Sequence, residues 1–397
     1  MHTLIISAAH QEQDELMKSL EEFRKNLNID LSFGSLDDLI RQELSLVFIA
    51  TGGTEEQFRK ILDQLPGKIY LLTHPAHNSL AASLEILAYL QEKGRKGEIL
   101  HGAPEFVGKK LKEIQLLKNT QVKLQGMRLG VFGISDWLIA SDVDEDRVKE
   151  IAGIDFVSLS IDELLAEVDK GGYEENPWTQ KLLDQGYKAL EMEKALEIYG
   201  ALKRLMKKHN LFGFTLRCFD LLGPLQSTAC LALSILNAEG YPAGCEGDKK
   251  SLLSMVVAQT LLKESVFMAN PSSLDPEKEE LVIAHCTLPL DYPRKISLNT
   301  HFESGIGVAL ASDFGFEDVT LFKMDSFKHF VAKEGRLIES LHRNDLCRSQ
   351  MRIHLPGGTD YFLQHPLANH HMVLRGHHSQ LIKKFLEYMA ADIKRRD

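Results

Sequence analysis

We predict an α/β protein with two open α/β layers followed by a β-rich C-terminal domain. Through the first two thirds of the chain, short apolar runs of strand length alternate with amphipathic stretches of helical period, which is typical of open parallel sheets. From about Arg294 the pattern changes to short β-like runs separated by turn residues. At 397 residues, the chain also exceeds the size at which one hydrophobic core usually stops growing. We therefore predict three domains, over residues 1–125, 126–290 and 291–397.

The first layer is predicted from three apolar runs, HTLIISA, LSLVFIATGG and KIYLLTHP. Two helical stretches lie between them, one ending near Asn28 and one from about Glu55 to Gln64. The glycines of ATGGTEE lack the lysine of a phosphate loop and the spacing of a dinucleotide site, so they predict an ordinary tight turn.

The second layer begins near Met127. The run MRLGVFGI predicts a buried strand, VDEDRVKEIAGI a capped helix and DFVSLSI the next strand. One long helix or a helical pair is predicted from about Asn176 to Asn210, before the strand in GFTLRCFDLL, and a further helix from Leu225 to Asn237. A last strand leads to Cys245 and the helix DKKSLLSMVVAQTLL. Because ligands bind beyond the carboxyl ends of strands in open α/β sheets, this strand-to-helix turn is a natural place for a site.

The β-rich domain is predicted from the runs KISLNTHF, GIGVALA, DVTLFKM and QMRIHL. An amphipathic helix from about Ser379 to Arg395 closes the chain. Its basic end suits the negative end of the helix dipole and is interpreted as a solvated terminus.

Composition excludes several classes of function. The chain carries 46 Lys and Arg against 56 Asp and Glu, a formal charge of -10, which argues against a nucleic-acid partner. No apolar run is long enough to span a bilayer and the N-terminus lacks the features of a secretory signal, so we predict a cytoplasmic protein without a membrane partner. The five cysteines form no CxxC pair and are expected to be free thiols.

Residues that bind metals concentrate in the C-terminal half. In GCEGD, the glycine between Glu246 and Asp248 lets one carboxylate bind a metal while the other serves as a base or second ligand. The alternative is a helix start with favourable acidic charges. Seven of the 16 histidines lie between positions 342 and 378, which favours a metal or proton-transfer site there.

Histidines at two places are candidates for the same site. In IAHCT, His285 ends an apolar strand and is either a site residue or a hydrogen-bonded part of the structure. In LANHHMVLRGHH, adjacent residues of an extended chain point to opposite sides, so at most one of His370 and His371 is expected to be a ligand. Carboxylates completed by imidazole suit Mn²⁺ or a similar divalent ion, which binds two neighbouring sugar oxygens and stabilises an enediolate.

These motifs resemble the L-fucose isomerase and L-arabinose isomerase superfamily, most clearly from about Gly213 to His378, at TACLALSILNAEGYPAGCEGD and at ANHH. The resemblance implies an L-fucose isomerase-like fold with Glu246, Asp248 and His370 as metal ligands. It also implies a homo-oligomer, trimer or hexamer, with sites near subunit contacts. The family has a further Glu upstream of the acidic turn, and the nearest carboxylate here is Asp220, which either replaces that Glu or caps the following segment.

Two further residues are predicted near the sugar. The run GISDWLIASD resembles a loop in shorter relatives, so Trp137 is expected either to stack on the substrate or to pack between domains. In HFESGIG, Glu303 is a candidate acid near the site or an exposed turn carboxylate. His285 is assigned to substrate binding and, with Asp220, is a candidate to replace the missing Glu.

We therefore predict a metal-dependent aldose–ketose isomerase that acts on a free sugar through an enediol. Glu246, Asp248 and Asp220 are the predicted catalytic residues. The alternative is a catalytically silent sugar-binding relative. A thiol hydrolase using Cys286 beside His285 is disfavoured because neighbours in a strand face apart and no third group orients them.

Overall fold

A computed structural model describes residues 1–8 and 13–393 of the chain. Its contacts form two compact units, Met1–Val122 together with the chain from Glu387, and Lys123–Leu386. The predicted three-domain division stays a prediction. The closing helix runs from Ser379 to Ile393, and its predicted basic end lies outside the described residues.

The first unit contains a parallel five-stranded sheet in the order β2-β1-β3-β4-β5. Its central strand, β3, is buried throughout because alternate residues enter two different cores: Phe48 packs on one face of the sheet, and Val47 and Ile49 pack on the other. The α/β rhythm predicted for this part is confirmed. The strands are β1 His2–Ile6, β2 Ser32–Gly34, β3 Ser45–Ile49, β4 Ile69–Leu72 and β5 Gly97–Leu100, and the helices are α1 Gln13–Asn26, α2 Leu36–Arg41, α3 Glu55–Ile61, α4 Ser79–Glu92 and α5 Pro104–Leu124.

The second unit begins with a parallel four-stranded sheet in the order β7-β6-β8-β9, which confirms the second α/β layer. The predicted long helical region is a pair of helices, α8 and α9. The helix expected from Leu225 begins instead at Cys230, because Gln226 takes a left-handed conformation with φ of 47° and ends a short preceding helix. The strands are β6 Arg128–Phe132, β7 Asp155–Leu159, β8 Gly213–Leu216 and β9 Ala243–Cys245, and the helices are α6 Glu145–Ala152, α7 Ile161–Val168, α8 Pro177–Leu183, α9 Ala189–His209, α10 Leu222–Leu225, α11 Cys230–Ala238 and α12 Lys249–Leu262.

A closed antiparallel barrel in the order β10-β11-β16-β15-β14-β17 follows the sheet. The predicted β-rich character is confirmed, and the barrel includes the strands β10 and β11, which pair with strands near the end of the chain. The strands are β10 Phe267–Asp275, β11 Glu280–His285, β14 Asp318–Met324, β15 Phe330–Leu341, β16 Ser349–His354 and β17 His371–Arg375, with the separate pair β12 Pro293–Asn299 and β13 Ala309–Phe314, and the helices α13 Thr359–Gln364 and α14 Ser379–Ile393.

Helix α12 joins the sheet of the second unit to the barrel. It packs against β8 and β9 on one side and against β14 and β17 on the other. This explains its almost uninterrupted burial from Ser251 to Leu261 and the absence of a polar face in its sequence. Within the described ranges, no helix has both the length and the apolar character that crossing a bilayer requires.

Candidate metal and substrate site

Three parallel strands of the second unit end at the same level. Phe132 of β6 lies beside Leu216 of β8, which in turn lies beside Cys245 of β9. The segments that follow these strands therefore meet at one edge of the sheet, as expected for an α/β ligand site. They contain Trp137, Asp220 and the GCEGD turn.

The GCEGD turn has an uncommon backbone conformation that directs Glu246 and Asp248 to different surroundings. Glu246 has a φ of 59° and Gly247 a φ of 69°, both left-handed. A Cβ on Gly247 would lie 3.1 Å from the backbone nitrogen of Ser135 and 3.2 Å from the oxygen of Gly133, so this position accepts only glycine without a shift. Left-handed backbone at a non-glycine residue costs free energy and concentrates at functional sites. After this turn, Asp248 caps helix α12 through the backbone nitrogen of Ser251.

The barrel contributes two histidines to the same place. His285 is the last residue of β11, and His370 directly precedes β17. Strand β10 pairs with both strands, Asn270 opposite Ala284 and Ala269 opposite His371, so the two histidines come to the same end of the barrel. Their rings meet edge to face with centroids 5.4 Å apart.

Glu246, His285 and His370 form a three-residue group with the geometry of a metal site. Glu246 Oε1 lies 3.4 Å from His370 Nε2 and 3.8 Å from His285 Nε2. The three ligand atoms lie within 4.8 Å of one another, and both histidines are buried. His370 Nε2 is itself buried and has no hydrogen-bond partner among the residues that the structure describes. Such an orphaned nitrogen facing a carboxylate is what a missing cation would satisfy.

Asp248 lies behind His370, with its carboxylate in contact with neighbouring side chains, and its predicted ligation of a metal stays a prediction. Its Oδ2 is 2.9 Å from His370 Nδ1 and also accepts a hydrogen bond from Ser251 Oγ at 2.7 Å. The fully buried ammonium of Lys323 lies 3.4 Å from the same oxygen and donates to Ser251 Oγ at 2.8 Å. With these partners, Asp248 orients the imidazole and directs Nε2 toward Glu246.

The charges of the group support one another. Burial opposes ionisation of Glu246, but the nearby imidazoles of His285 and His370 outweigh it and hold the pKa of this carboxyl well below its usual range. Burial opposes charge on His370 as well, yet Asp248 and Glu246 raise the pKa of this imidazole to about 9. The adjacent His371 is the opposite case, because burial and the charge of Lys323 lower its pKa to about 3. The carboxylates of Asp248 and Glu246 therefore favour a positive charge at the position of His370.

A cavity of about 560 Å³ opens beside Glu246. Trp137 lines it and donates from Nε1 to Glu246 Oε2 at 3.2 Å, while the guanidinium of Arg217 covers its ring at 4.7 Å. Asn270 also lines the cavity, and its buried Oδ1 finds no hydrogen-bond partner in the described part of the chain. The remaining lining residues are Phe219, Pro271, Glu303 and Asn369. An indole face and an unsatisfied amide oxygen suit a small polyhydroxylated ligand.

The two other predicted acids have different surroundings. Glu303 lines the cavity, and burial together with the negative charge of Glu246 raises its pKa. Asp220 pairs with Arg217, with its Oδ1 3.1 Å from Nε, and is not among the residues that line the cavity. The structure therefore brings Glu303, and not Asp220, to the cavity beside Glu246.

Asn270 and Lys323 are among the residues of this site that the sequence analysis did not predict. Asn270 sits in an unremarkable NPSS segment and reaches the cavity only through the pairing of β10 with β11. Lys323 carried a usable signal, since it is the one charged residue inside the apolar run VTLFKM. A lysine in a buried strand implies a buried acidic partner, which is Asp248.

Comparison with known proteins gives a family match for one part of the chain. No curated protein matches the chain. Residues 137–263 match the family model of the L-arabinose isomerase central domain. The matched segment covers about a third of the chain and includes Trp137, Glu246 and Asp248, while His285, Glu303 and His370 lie beyond it. The resemblance predicted from the sequence is thereby confirmed for residues 137–263, which match a domain of the L-fucose/L-arabinose isomerase superfamily.

Proposed function

We propose that the protein is a metal-dependent aldose–ketose isomerase acting on a free sugar. The observation that carries the proposal is the group of Glu246, His285 and His370 beside a cavity with polar and aromatic walls, in a chain with an isomerase-family domain. A cytoplasmic location, Mn²⁺ as the ion and a trimeric or hexameric assembly remain part of the proposal.

The donor set fits a divalent cation of the Mn²⁺ type. One carboxylate oxygen and two imidazole nitrogens suit such ions, and ligand bonds of about 2.1 Å put neighbouring donors about 3 Å apart. The spacing of 3.4 Å and 3.8 Å found between Glu246 and the two histidines is close to that value. When bound, the ion would polarise the sugar carbonyl and its neighbouring hydroxyl. Asp248 would not touch the ion but would hold His370 in the ligating orientation.

The residues of the chain divide the remaining tasks. Asn270 Oδ1 accepts a hydrogen bond from a sugar hydroxyl, and the indole of Trp137 packs against an apolar face of the sugar. Glu303 removes the proton from C2 of the aldose and returns it to C1 of the enediol, with proton exchange between the two oxygens. Its raised pKa brings the carboxyl nearer to the working pH, which favours proton transfer in both directions. We assign the base to Glu303 and not to Asp248, because the oxygens of Asp248 contact His370, Ser251 and Lys323.

The proposal is tested by metal analysis of the purified protein and by assay of a panel of pentoses, hexoses and 6-deoxyhexoses with added Mn²⁺. We expect ketose formation that a chelator abolishes and Mn²⁺ restores. Sugar binding without turnover in the metal-loaded protein would support the silent relative, a candidate favoured by the engagement of Asp220 with Arg217. No metal and no sugar binding would refute both.

Glu303→Gln is expected to lower kcat at least about 100-fold, because the amide cannot accept the C2 proton. Metal affinity should stay near that of the unchanged protein, since Glu303 is not one of the three grouped ligands. In the unchanged protein, activity should fall as pH decreases through the raised pKa of Glu303, because the base must be ionised. Exchange of the C2 hydrogen for solvent deuterium measures this step directly. A Glu303→Gln variant that still exchanges this hydrogen would assign the base elsewhere, and Glu277→Gln is the surface control.

A thiol hydrolase is not supported by the surroundings of Cys286. Neighbouring Cys230 and Cys347 thiols and burial raise the pKa of the Cys286 thiol well above its ordinary value, which disfavours the nucleophilic thiolate. Cys286 Sγ is also 3.9 Å from His285 Nδ1, a long contact for a nucleophile and base.

A further inference from the structure

A second cluster of ligand atoms lies in the same unit as the proposed isomerase site but shares no residue with it. Cys230 Sγ and Cys286 Sγ are 3.1 Å apart, and both lie within 4.8 Å of a ring nitrogen of His301. All three residues are buried, with exposed fractions of 1%, 4% and 5%. The mechanism proposed above uses none of them.

We propose that Cys230, Cys286 and His301 bind a second, thiophilic divalent cation, with Zn²⁺ the ion that matches this ligand set. Two thiolates and an imidazole are a ligand combination found in zinc sites, and they differ from the carboxylate and imidazole donors around Glu246. Binding of the ion displaces the protons of the two thiols to solvent, in spite of the raised pKa of Cys286, and the two resulting thiolates neutralise a divalent cation. A neutral assembly can be buried without the large cost of an uncompensated charge.

The geometry needs only a small adjustment to receive the ion. Zn–S bonds of about 2.3 Å at a tetrahedral angle place two sulfurs about 3.8 Å apart, so the thiols must separate by less than an ångström. His301 Nδ1 contacts Ser304, with Oγ at 3.0 Å and the backbone nitrogen at 3.3 Å, and these contacts orient the ring. Binding of the ion through Nε2 places the ring proton on Nδ1, which then donates to Ser304 Oγ. The half-buried thiol of Cys347 also interacts with that of Cys286.

The origin of the ligands indicates what the ion would do. Cys230 begins helix α11 of the α/β layer, Cys286 follows barrel strand β11, and His301 follows β12 of the separate two-stranded sheet. Cys230 precedes Cys286 by 56 positions, and the loop with His301 also carries Glu303. An ion held here would tie the helical layer, the barrel and the Glu303 loop together. The ion would contribute to stability, because an ion that binds only the folded protein stabilises the folded state.

The test uses the full chain, reduced with a phosphine, stripped of metal and titrated with Co²⁺ as a spectroscopic substitute for Zn²⁺. We expect the near-ultraviolet charge-transfer absorption of thiolate-bound Co²⁺ to saturate at one ion per chain. The band should disappear in Cys230→Ser and Cys286→Ser and persist in Cys218→Ser. Cys218 is the matched control because its thiol is also buried and lies 3.0 Å from the thiol of Cys245. Among the described residues, this pair belongs to neither of the two candidate metal-binding groups.

Glu246→Gln separates this proposal from the isomerase proposal. It should remove Co²⁺ from the carboxylate and histidine group but leave the thiolate band unchanged. Co²⁺ binding without a thiolate band, or a band that survives Cys230→Ser, would overturn the second site whatever the result of the sugar assays. If a serine variant fails to fold, X-ray absorption at the zinc edge of the zinc-loaded, unchanged protein tests the site instead. Sulfur neighbours at about 2.3 Å support the site, and a shell of nitrogen and oxygen alone refutes it.

Discussion

His370→Asn is expected to lower the affinity for the proposed isomerase metal at least about 100-fold and to abolish ketose formation. Asparagine can still donate from its amide to Asp248, as His370 does from Nδ1, but it has no atom at the position of Nε2. The substitution therefore removes the ligand atom while keeping the hydrogen bond behind it. Mn²⁺ titration followed by isothermal calorimetry measures the loss.

His371→Asn is the matched control for this variant. The neighbouring ring points away from the site, with Nε2 2.9 Å from the hydroxyl of Tyr361 and Nδ1 2.8 Å from the carbonyl oxygen of Asn369. Losing these contacts should lower stability but leave Mn²⁺ affinity within a few-fold of the original. Equal loss of metal from both variants, or full affinity in His370→Asn, would contradict the assignment of His370 as a ligand.

The opposed orientations of these two histidines follow from a rule that is readable in the sequence. Adjacent residues of an extended segment face opposite sides, so the sequence predicted that at most one of the pair would reach the site. The α/β layers were predictable for a similar reason, since the period of apolar residues reports local structure directly. The glycine between Glu246 and Asp248 likewise marked the strand-to-helix turn of the site.

The roles of the individual acids were not readable in this way, because they depend on backbone angles and distant partners. The left-handed backbone of Glu246 and Gly247 separates two acids that the sequence places almost side by side. Asp220 was the nearest carboxylate by counting, but the short 3-10 helix Cys218–Leu221 places it in an ion pair with Arg217. The local pattern of the sequence does not predict these contacts.

The extent of the barrel was also hidden from the sequence. The apolar run of β11 predicts a strand, but its partner β16 lies more than 60 positions further along the chain. A period-two pattern shows which face of a strand is buried and not which strand it pairs with. Only the pairing of β10 with β11 and with β17 reveals that Asn270 and His285 lie at one end of a barrel, beside His370.

Asp248→Asn is expected to destabilise the protein by about 3–5 kcal/mol, the usual cost of removing one partner of a buried ion pair. Asp248 and Lys323 are both completely buried, with their charged atoms 3.4 Å apart. Without the carboxylate, the Lys323 ammonium stays in the core with only Ser251 Oγ within hydrogen-bond distance among the described residues. Urea unfolding of the metal-free protein measures the change in the free energy of unfolding.

Lys323→Met should cost less, because the remaining Asp248 carboxylate still accepts hydrogen bonds from Ser251 and from the His370 imidazole. The double variant Asp248→Asn with Lys323→Met should then recover most of the stability lost in Asp248→Asn, since it leaves no unpaired charge behind. If the two single losses instead add in the double variant, the two groups do not interact energetically and the buried pair is not the reason for the instability.

Metal affinity should not follow stability through this cycle. Asparagine at position 248 cannot supply the negative charge behind His370 Nδ1, so the double variant should still bind Mn²⁺ about 10–100-fold more weakly. Lys323→Met alone should bind Mn²⁺ at least as well as the unchanged protein, because a positive charge near the site has been removed. Recovery of both stability and affinity in the double variant would assign Asp248 a purely structural role. Recovery of stability alone would identify it as the residue that positions the metal-binding imidazole.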